Sequence, residues 1–342
     1  MFEIIIYFIF ILFFSILAKN KNFLPNYTGN FHQKFIGRKN TPLVGGFYFL
    51  VLISYVFYEI NLLFVIICTL IYLSGFSSDT NLLSSPKFRF LIQLILISVF
   101  VFYQELNIKS TRIDFLDEIL INSKFGLFFS IFCLLILING SNFIDGLNGL
   151  LLGYLFLIFL ILGNQNLFFL FNINNDREML LIYSILILLV LNYLNFFYLG
   201  DGGSYLIGFI LGYFLISIYN ISTDISPYYI ILILWYPCFE TLFSLLRKIV
   251  NNKSPLAPDN LHLHQLLYFF VMKKFGNKNH IIFNNFSSLI INIFNFLILS
   301  LGTMNKNLTS YQIALIVTAI SIYIIAYLYL NSFRKYSFGI KK

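Results

Sequence analysis

Residues 125–162 read FGLFFSIFCLLILINGSNFIDGLNGLLLGYLFLIFLIL. Two apolar runs, 125–138 and 147–162, flank a short polar stretch carrying asparagine, aspartate and glycine. Neither run alternates apolar with polar residues, as the wall of a membrane barrel does, so both read as helices. A helix crosses the hydrocarbon layer in roughly 20 residues, and it satisfies its own backbone groups in lipid. The same kind of run recurs at 2–18, 44–58, 62–76, 88–103, 180–197, 205–219, 228–246, 286–301 and 313–330. The chain therefore reads as an all-α polytopic membrane protein with ten to eleven transmembrane helices, forming one domain over 1–342 and ending in a basic tail at 331–342.

Composition agrees. Of 342 residues, 59% are apolar and 11% charged, a balance that no soluble core of this size needs. The first run lacks a basic residue in front, carries Glu3, and is followed by the basic stretch 19–39 without a small-residue cleavage site, so a retained helix is expected rather than a signal peptide. Cys68, Cys133 and Cys238 fall inside apolar runs without metal-ligand spacing and read as packing residues.

Eleven spans place the termini on opposite sides. With the segment after the first helix inside, seventeen Lys and Arg residues lie on the cytoplasmic side. Five, namely Lys109, Arg112, Lys124, Arg177 and Lys306, lie outside. That asymmetry predicts an outside N-terminus and an inside C-terminus. The net charge of +8 is accounted for by this topology and by attraction to anionic headgroups, and no nucleic-acid motif is present. Most acidic residues fall outside; Asp79, Asp145, Asp201, Glu240 and Asp259 remain on or near the inner side.

Each of those inner segments has an unusual local sequence. In Thr41-Pro42-Leu43-Val44-Gly45-Gly46, two glycines open a helix and admit a close backbone or phosphate; a plain helix-start turn is the alternative. After the third run, Asp79 is followed by Lys87 and Arg89, so one acid and two cations can face one site, although for this stretch alone capping and interfacial anchoring are the favoured reading. Asn139, Asn142, Asp145 and Gly149 recur at three- and four-residue spacing and share a helix face. Unpaired there, each polar group would cost about 2–7 kcal/mol, which favours function over structure. Gly200-Asp201-Gly202-Gly203 puts a carboxylate among glycines at a helix start, where backbone N–H groups hold an oxyanion and the carboxylate a hard cation such as magnesium. In the longest inner loop, Arg247, Asp259, His262 and His264 lie close together. The two-residue histidine spacing suits a diphosphate better than a helical zinc pair.

Taken in order from Thr41 to about Leu267, these stretches resemble the polyprenyl-phosphate N-acetylhexosamine-1-phosphate transferases, the superfamily that also holds the phospho-MurNAc-pentapeptide translocases. The resemblance rests on Thr-Pro-x-x-Gly-Gly, the aspartate loop with Ser-Pro-Lys, Asn-x-x-Asn-x-x-Asp-Gly-x-x-Gly-Leu, Gly-Asp-x-Gly-Ser and His-Leu-His. It implies transfer of a sugar phosphate from a UDP-N-acetylhexosamine to undecaprenyl phosphate, releasing UMP, at the cytoplasmic face of the inner membrane. It implies catalytic roles for Asp79, Asp145 and Asp201, with Mg2+ (or Mn2+) on Asp201 and Asp145. It further implies substrate contacts at Thr41, Gly45, Gly46, Lys87, Asn139, Asn142, Arg247, Asp259, His262 and His264. The histidine form resembles the branch using simple UDP-sugars. The chain departs from the family at Ser78, where the first of two adjacent aspartates is common, and at Leu43, where arginine is common. A homodimer is compatible with the sequence. The rival readings are an inactive relative that binds carrier or nucleotide sugar, and a multi-helix transporter; against the latter, the polar motifs sit at helix ends and no internal repeat is visible.

Overall fold

Fourteen α-helices build the described part of the chain, which in the computed structural model is residues 2–21, 23–24, 41–83, 85–222, 224–252, 254, 260–276 and 279–337. In order they are α1 (Phe2–Asn20), α2 (Gly45–Phe57), α3 (Leu62–Asp79), α4 (Pro86–Tyr103), α5 (Asp114–Leu120), α6 (Ser123–Ile144), α7 (Leu150–Asn164), α8 (Asn175–Tyr193), α9 (Gly200–Ile221), α10 (Pro227–Ile233), α11 (Trp235–Val250), α12 (Leu263–Phe275), α13 (His280–Met304) and α14 (Thr309–Ser337). Among the described residues there is no strand, so the protein is an all-α polytopic membrane protein.

The predicted spans fall on helices, except that 228–246 is split between α10 and α11 and 180–197 runs past the end of α8, and the helices are not equally long. Seven (α1, α3, α4, α6, α9, α13 and α14) are long and apolar enough to cross a bilayer, and α10 with α11 makes an eighth if the bent pair counts as one span. α2 and α7 have 13 and 15 residues, about 20 and 23 Å at 1.5 Å each, short of a hydrocarbon layer of about 30 Å. Most of both helices is buried in the bundle, so neighbouring helices rather than lipid surround them.

α9 is the axis. In its most apolar window 78% of residues are buried, against 22% in α1, α4 and α14, whose exposed Phe, Ile and Leu side chains form the lipid-facing rim. α9 packs on α2, α3 and α6, and small residues let the backbones close in: a Cβ on Gly208 of α9 would stand 2.6 Å from the Leu137 carbonyl of α6. Between α10 and α11 the chain bends by 75° at Leu234. Pro237 has no N–H for the Ile233 carbonyl, and the buried Tyr154 hydroxyl donates to that carbonyl instead, so the break leaves no orphan acceptor in the bundle.

Helix direction sorts the connections into two ends. The ends of α3 and α6 and the starts of α2, α4 and α9 meet at one. At the other, Tyr219 reaches the Ser110 carbonyl, Arg112 reaches Thr309 and the Asn307 carbonyl, and Arg177 pairs with Glu59. The first end is the one where the sequence puts its unusual polar loops.

Candidate active site

Asp201 lies in the first turn of α9, which Gly200 opens at φ +79°. A Cβ on Gly200 would stand 2.7 Å from Asp79 Oδ2, so both backbone and space require glycine. Asp79, the last residue of α3, accepts the Asp201 N–H at 2.9 Å and the Gly202 N–H at 3.2 Å, occupying two donors that a helix start leaves unpaired. The Asp201 carboxylate is held from three other helices or helix ends. Its Oδ2 accepts from Ser78 Oγ at 2.7 Å and from Arg89 Nη1 at 2.9 Å, and its Oδ1 accepts from Asn142 Nδ2 at 2.8 Å. Arg89 also donates to Ser78 Oγ. Asn142 donates a second bond, 3.0 Å, to Ser204 Oγ.

Asn139, one turn earlier on α6, points to Gln93 Oε1 of α4 at 3.2 Å. Asp145, just past α6, is half-buried and accepts no hydrogen bond among the described residues. Burial, and then the charges of Asp201 and Asp79, push its carboxyl well above the usual range. Three carboxylates thus face one junction against the guanidinium of Arg89. This surplus of negative charge among oxygen donors fits a hard divalent cation. Among the described residues no group of three His, Cys, Asp or Glu side chains could hold a metal ion alone, so a cation here would need water or substrate oxygens as further ligands. Asp201 and Asp145 are the residues that would hold it.

The histidine loop docks beside this junction. His262 Nδ1 lies 2.9 Å from Glu240 Oε1, and the other Glu240 oxygen accepts from the Tyr323 hydroxyl of α14 at 2.7 Å. Glu240 is fully buried, so this carboxylate depends on both partners. The His262 and His264 rings stack at 5.6 Å, and the His262 ring lies 5.4 Å from Phe143 between Asn142 and Asp145. His264 is buried, neither ring nitrogen has a hydrogen-bond partner among the described residues, and burial pushes its imidazole down to about 3, leaving it neutral. A Cβ on Gly146 would collide with His264 Nε2, which puts this ring against the Asp145 loop.

The remaining candidates divide. Arg247 donates to the Leu261 carbonyl and, at 2.9 Å, to Tyr327, so it fastens the histidine loop to α14. The Gly45 and Gly46 amides donate to the Tyr198 and Leu199 carbonyls at 2.9 and 3.0 Å. A Cβ on Gly46 would stand 2.5 Å from Gly203 N, so the close approach is made by the backbone leading into α9. Thr41 is buried at the start of this turn. Lys87 is exposed on the first turn of α4 and makes no ion pair among the described residues; Arg89, two residues on, reaches Asp201. Asp259 lies outside the described residues. Sequence reasoning put Arg89 and Glu240 near the site without giving them a role, quoted Ser204 only as the last residue of Gly-Asp-x-Gly-Ser, and found no signal at Gln93, an ordinary helix residue.

A family model described as glycosyl transferase family 4 matches residues 60–219, which contain Asp79, Arg89, Asn142, Asp145 and Asp201. The chain is 28% identical over 240 residues to an undecaprenyl-phosphate alpha-N-acetylglucosaminyl 1-phosphate transferase of Salmonella typhi, a match covering 66% of this chain and 65% of that protein. It is 27% identical over 199 residues to a probable undecaprenyl-phosphate N-acetylglucosaminyl 1-phosphate transferase of Bacillus subtilis, covering 54% and 52%. A Thermotoga maritima relative of the first name is 30% identical over 131 residues, covering 38% and 39%. The chain thus spans a little under two thirds of the length of the curated relatives it matches best in extent. Over residues 60–219, a little under half of its length, the chain is similar to glycosyl transferase family 4, and the motif segments of that region converge on Asp201.

Proposed function

We propose that this protein is a sugar-1-phosphate transferase of the bacterial inner membrane, moving N-acetylhexosamine-1-phosphate from a UDP-sugar to undecaprenyl phosphate with release of UMP. The observation that carries the reading is the junction at Asp201, where residues of α3, α4 and α6 hold one carboxylate at the start of α9. The names of the Salmonella typhi and Bacillus subtilis relatives supply the substrate class. The positive-inside count supports a cytoplasmic site.

The donor diphosphate and the acceptor phosphate are both anionic, so the site must neutralise charge and hold the groups in line. Magnesium, where bound, neutralises the diphosphate and eases departure of UMP. Asp201 and Asp145 are the residues that would hold it, and Asp79 keeps the first turn of α9 in place beneath Asp201. Arg89 offsets the carboxylate charge and offers the remaining faces of its guanidinium to phosphate oxygens. His262 is oriented through Nδ1 by Glu240, and as the imidazolium it would also donate from Nε2 to the diphosphate. The acceptor phosphate loses its second proton near pH ~6, so it arrives largely ionised and a dedicated base is dispensable; Ser78, which donates to Asp201, is compatible with turnover.

Purified protein in nanodiscs, given undecaprenyl phosphate and a panel of UDP-sugars with magnesium, tests the reading. A lipid-diphosphate sugar and equimolar UMP are expected with one UDP-N-acetylhexosamine. Binding of nucleotide sugar without product would favour the inactive relative, for which Ser78 is the motivating residue.

A further inference from the structure

The turn that carries Asp145 has two long bonds of its own, from the Asp145 N–H to the Asn142 carbonyl at 3.3 Å and from the Leu150 N–H to the Leu147 carbonyl at 3.2 Å. Residues 145–149 connect α6 to α7, and Gly149 ends the turn at φ +70° with its Cα facing the Tyr193 ring, a conformation open to glycine alone. Further bonds to this backbone come from elsewhere in the chain. The Asn148 N–H donates to Asn284 Oδ1 of α13 at 2.8 Å, the Gly149 N–H donates to Asn192 Oδ1 of α8 at 2.6 Å, and the Gly149 carbonyl accepts from Asn292 Nδ2 of α13 at 2.9 Å. Asn284, Asn292 and Asn192 are all at least nine-tenths buried. Asn284 and Asn292 lie eight residues apart, on one face of a helix that reads HIIFNNFSSLIINIFNFLILSLGTM.

Amides in a membrane helix are costly unless they are bonded, and these bond to a loop backbone rather than to one another. α13 lies outside the matched family region and outside the motifs that mark the site. From this geometry we propose that Asn192, Asn284 and Asn292 are positioning residues that clamp the 145–149 turn, so that the Asp145 carboxylate stays turned toward Asp201. The proposal rests on the transferase reading for its consequence in catalysis, but the clamp itself is a statement about backbone bonds.

Bond direction gives the test. Asn284 accepts, so Asn284→Asp retains its bond to the Asn148 N–H. Asn292 donates, so Asn292→Asp turns a carboxylate toward the Gly149 carbonyl and loses the bond. In the full-length protein in nanodiscs, amide hydrogen exchange of the peptide over 142–150 is expected to quicken in Asn284→Ala, Asn292→Ala and Asn292→Asp. It is expected to stay near wild type in Asn284→Asp. Turnover should follow the same order, with kcat down about ten- to a hundredfold in the three impaired variants and KM for the UDP-sugar little changed. If the alanine variants fail to fold, the two aspartate variants decide. Unchanged exchange over 142–150 in the impaired variants, or equal behaviour of Asn284→Asp and Asn292→Asp, overturns the clamp. Exchange does not depend on transfer, so a wild-type protein without transferase activity would sink the proposed function and leave the clamp to be judged separately.

Discussion

Asp79 Oδ1 accepts the backbone N–H of Asp201 at 2.9 Å, so the carboxylate that ends α3 caps the helix that begins with the site's central carboxylate. This bond ties two residues 122 positions apart and fixes where Asp201 points. Asp79→Ala removes both of its backbone bonds, and loss of such a cap costs about 0.5–2 kcal/mol. The variant is expected to unfold a few degrees earlier in a thermal melt and to lose nearly all transfer, because Asp201 is then free to turn. Gly200→Ala, which crowds Asp79 and strains a left-handed backbone, should behave alike.

Arg89 and Lys87 sit two residues apart at the start of α4, yet only Arg89 pairs with Asp201. Arg89→Ala should lower kcat/KM about ten- to a hundredfold, and Arg89→Lys should recover part of the loss, because one nitrogen, Nη1, makes both bonds, to Ser78 and to Asp201, and an ammonium can supply them. Lys87→Ala should stay within about twofold of wild type, since exposed charges away from partners contribute little. Steady-state UMP release by the three variants separates them.

Glu240 is buried between His262 and Tyr323. Removing one partner of a buried charged group costs about 3–5 kcal/mol. His262→Ala is therefore expected to lower stability as well as activity, whereas Tyr323→Phe, which leaves the histidine contact, should lower stability less and retain measurable turnover. Thermal melts read alongside UMP release check both, and equal melting of the two variants would contradict the arrangement.

Asp145 carries a raised carboxyl pKa, so its ionised form is the disfavoured one in the folded protein. Its contribution is most favourable below the usual carboxylate pKa of about 3.9 and is lost as pH rises through the elevated folded value. In EDTA, Asp145→Asn is expected to melt higher than wild type at neutral pH, with the gap narrowing toward acid. Added magnesium should stabilise wild type and not the variant. A variant that melts lower than wild type in EDTA would argue that Asp145 is already paired.

The helices and their order were legible because lipid leaves a simple rule: runs such as 125–138 and 147–162 have no other way to satisfy their backbones. The short α2 and α7 were legible as helices too, but not their place inside the bundle, since apolar composition does not distinguish a lipid neighbour from a protein one. Asp79, Asn142, Asp145 and Asp201 stood out because charge and amide are costly between apolar runs. The partner relationships did not. Nothing in the spacing says that Arg89 rather than Lys87 turns inward, because the rotation of α4 about its axis is set by packing on α3 and α6. Nor does the sequence say that the amides of Gly45 and Gly46 are taken by residues 198 and 199. The asparagines of α13 belong to no motif in the sequence, and their loop contacts lie 136 and 143 residues away.

The central claim is that the bond broken lies within the donor diphosphate, so that sugar and phosphate move together at Asp201. A UDP-N-acetylhexosamine labelled with 32P at the phosphate next to the sugar, incubated with nanodisc protein, undecaprenyl phosphate and magnesium, reports this directly. Label is expected to appear in the lipid fraction with wild type and to stay in the nucleotide with Asp201→Asn. Label remaining water-soluble with wild type while sugar enters the lipid, or full transfer by Asp201→Asn, would contradict the account.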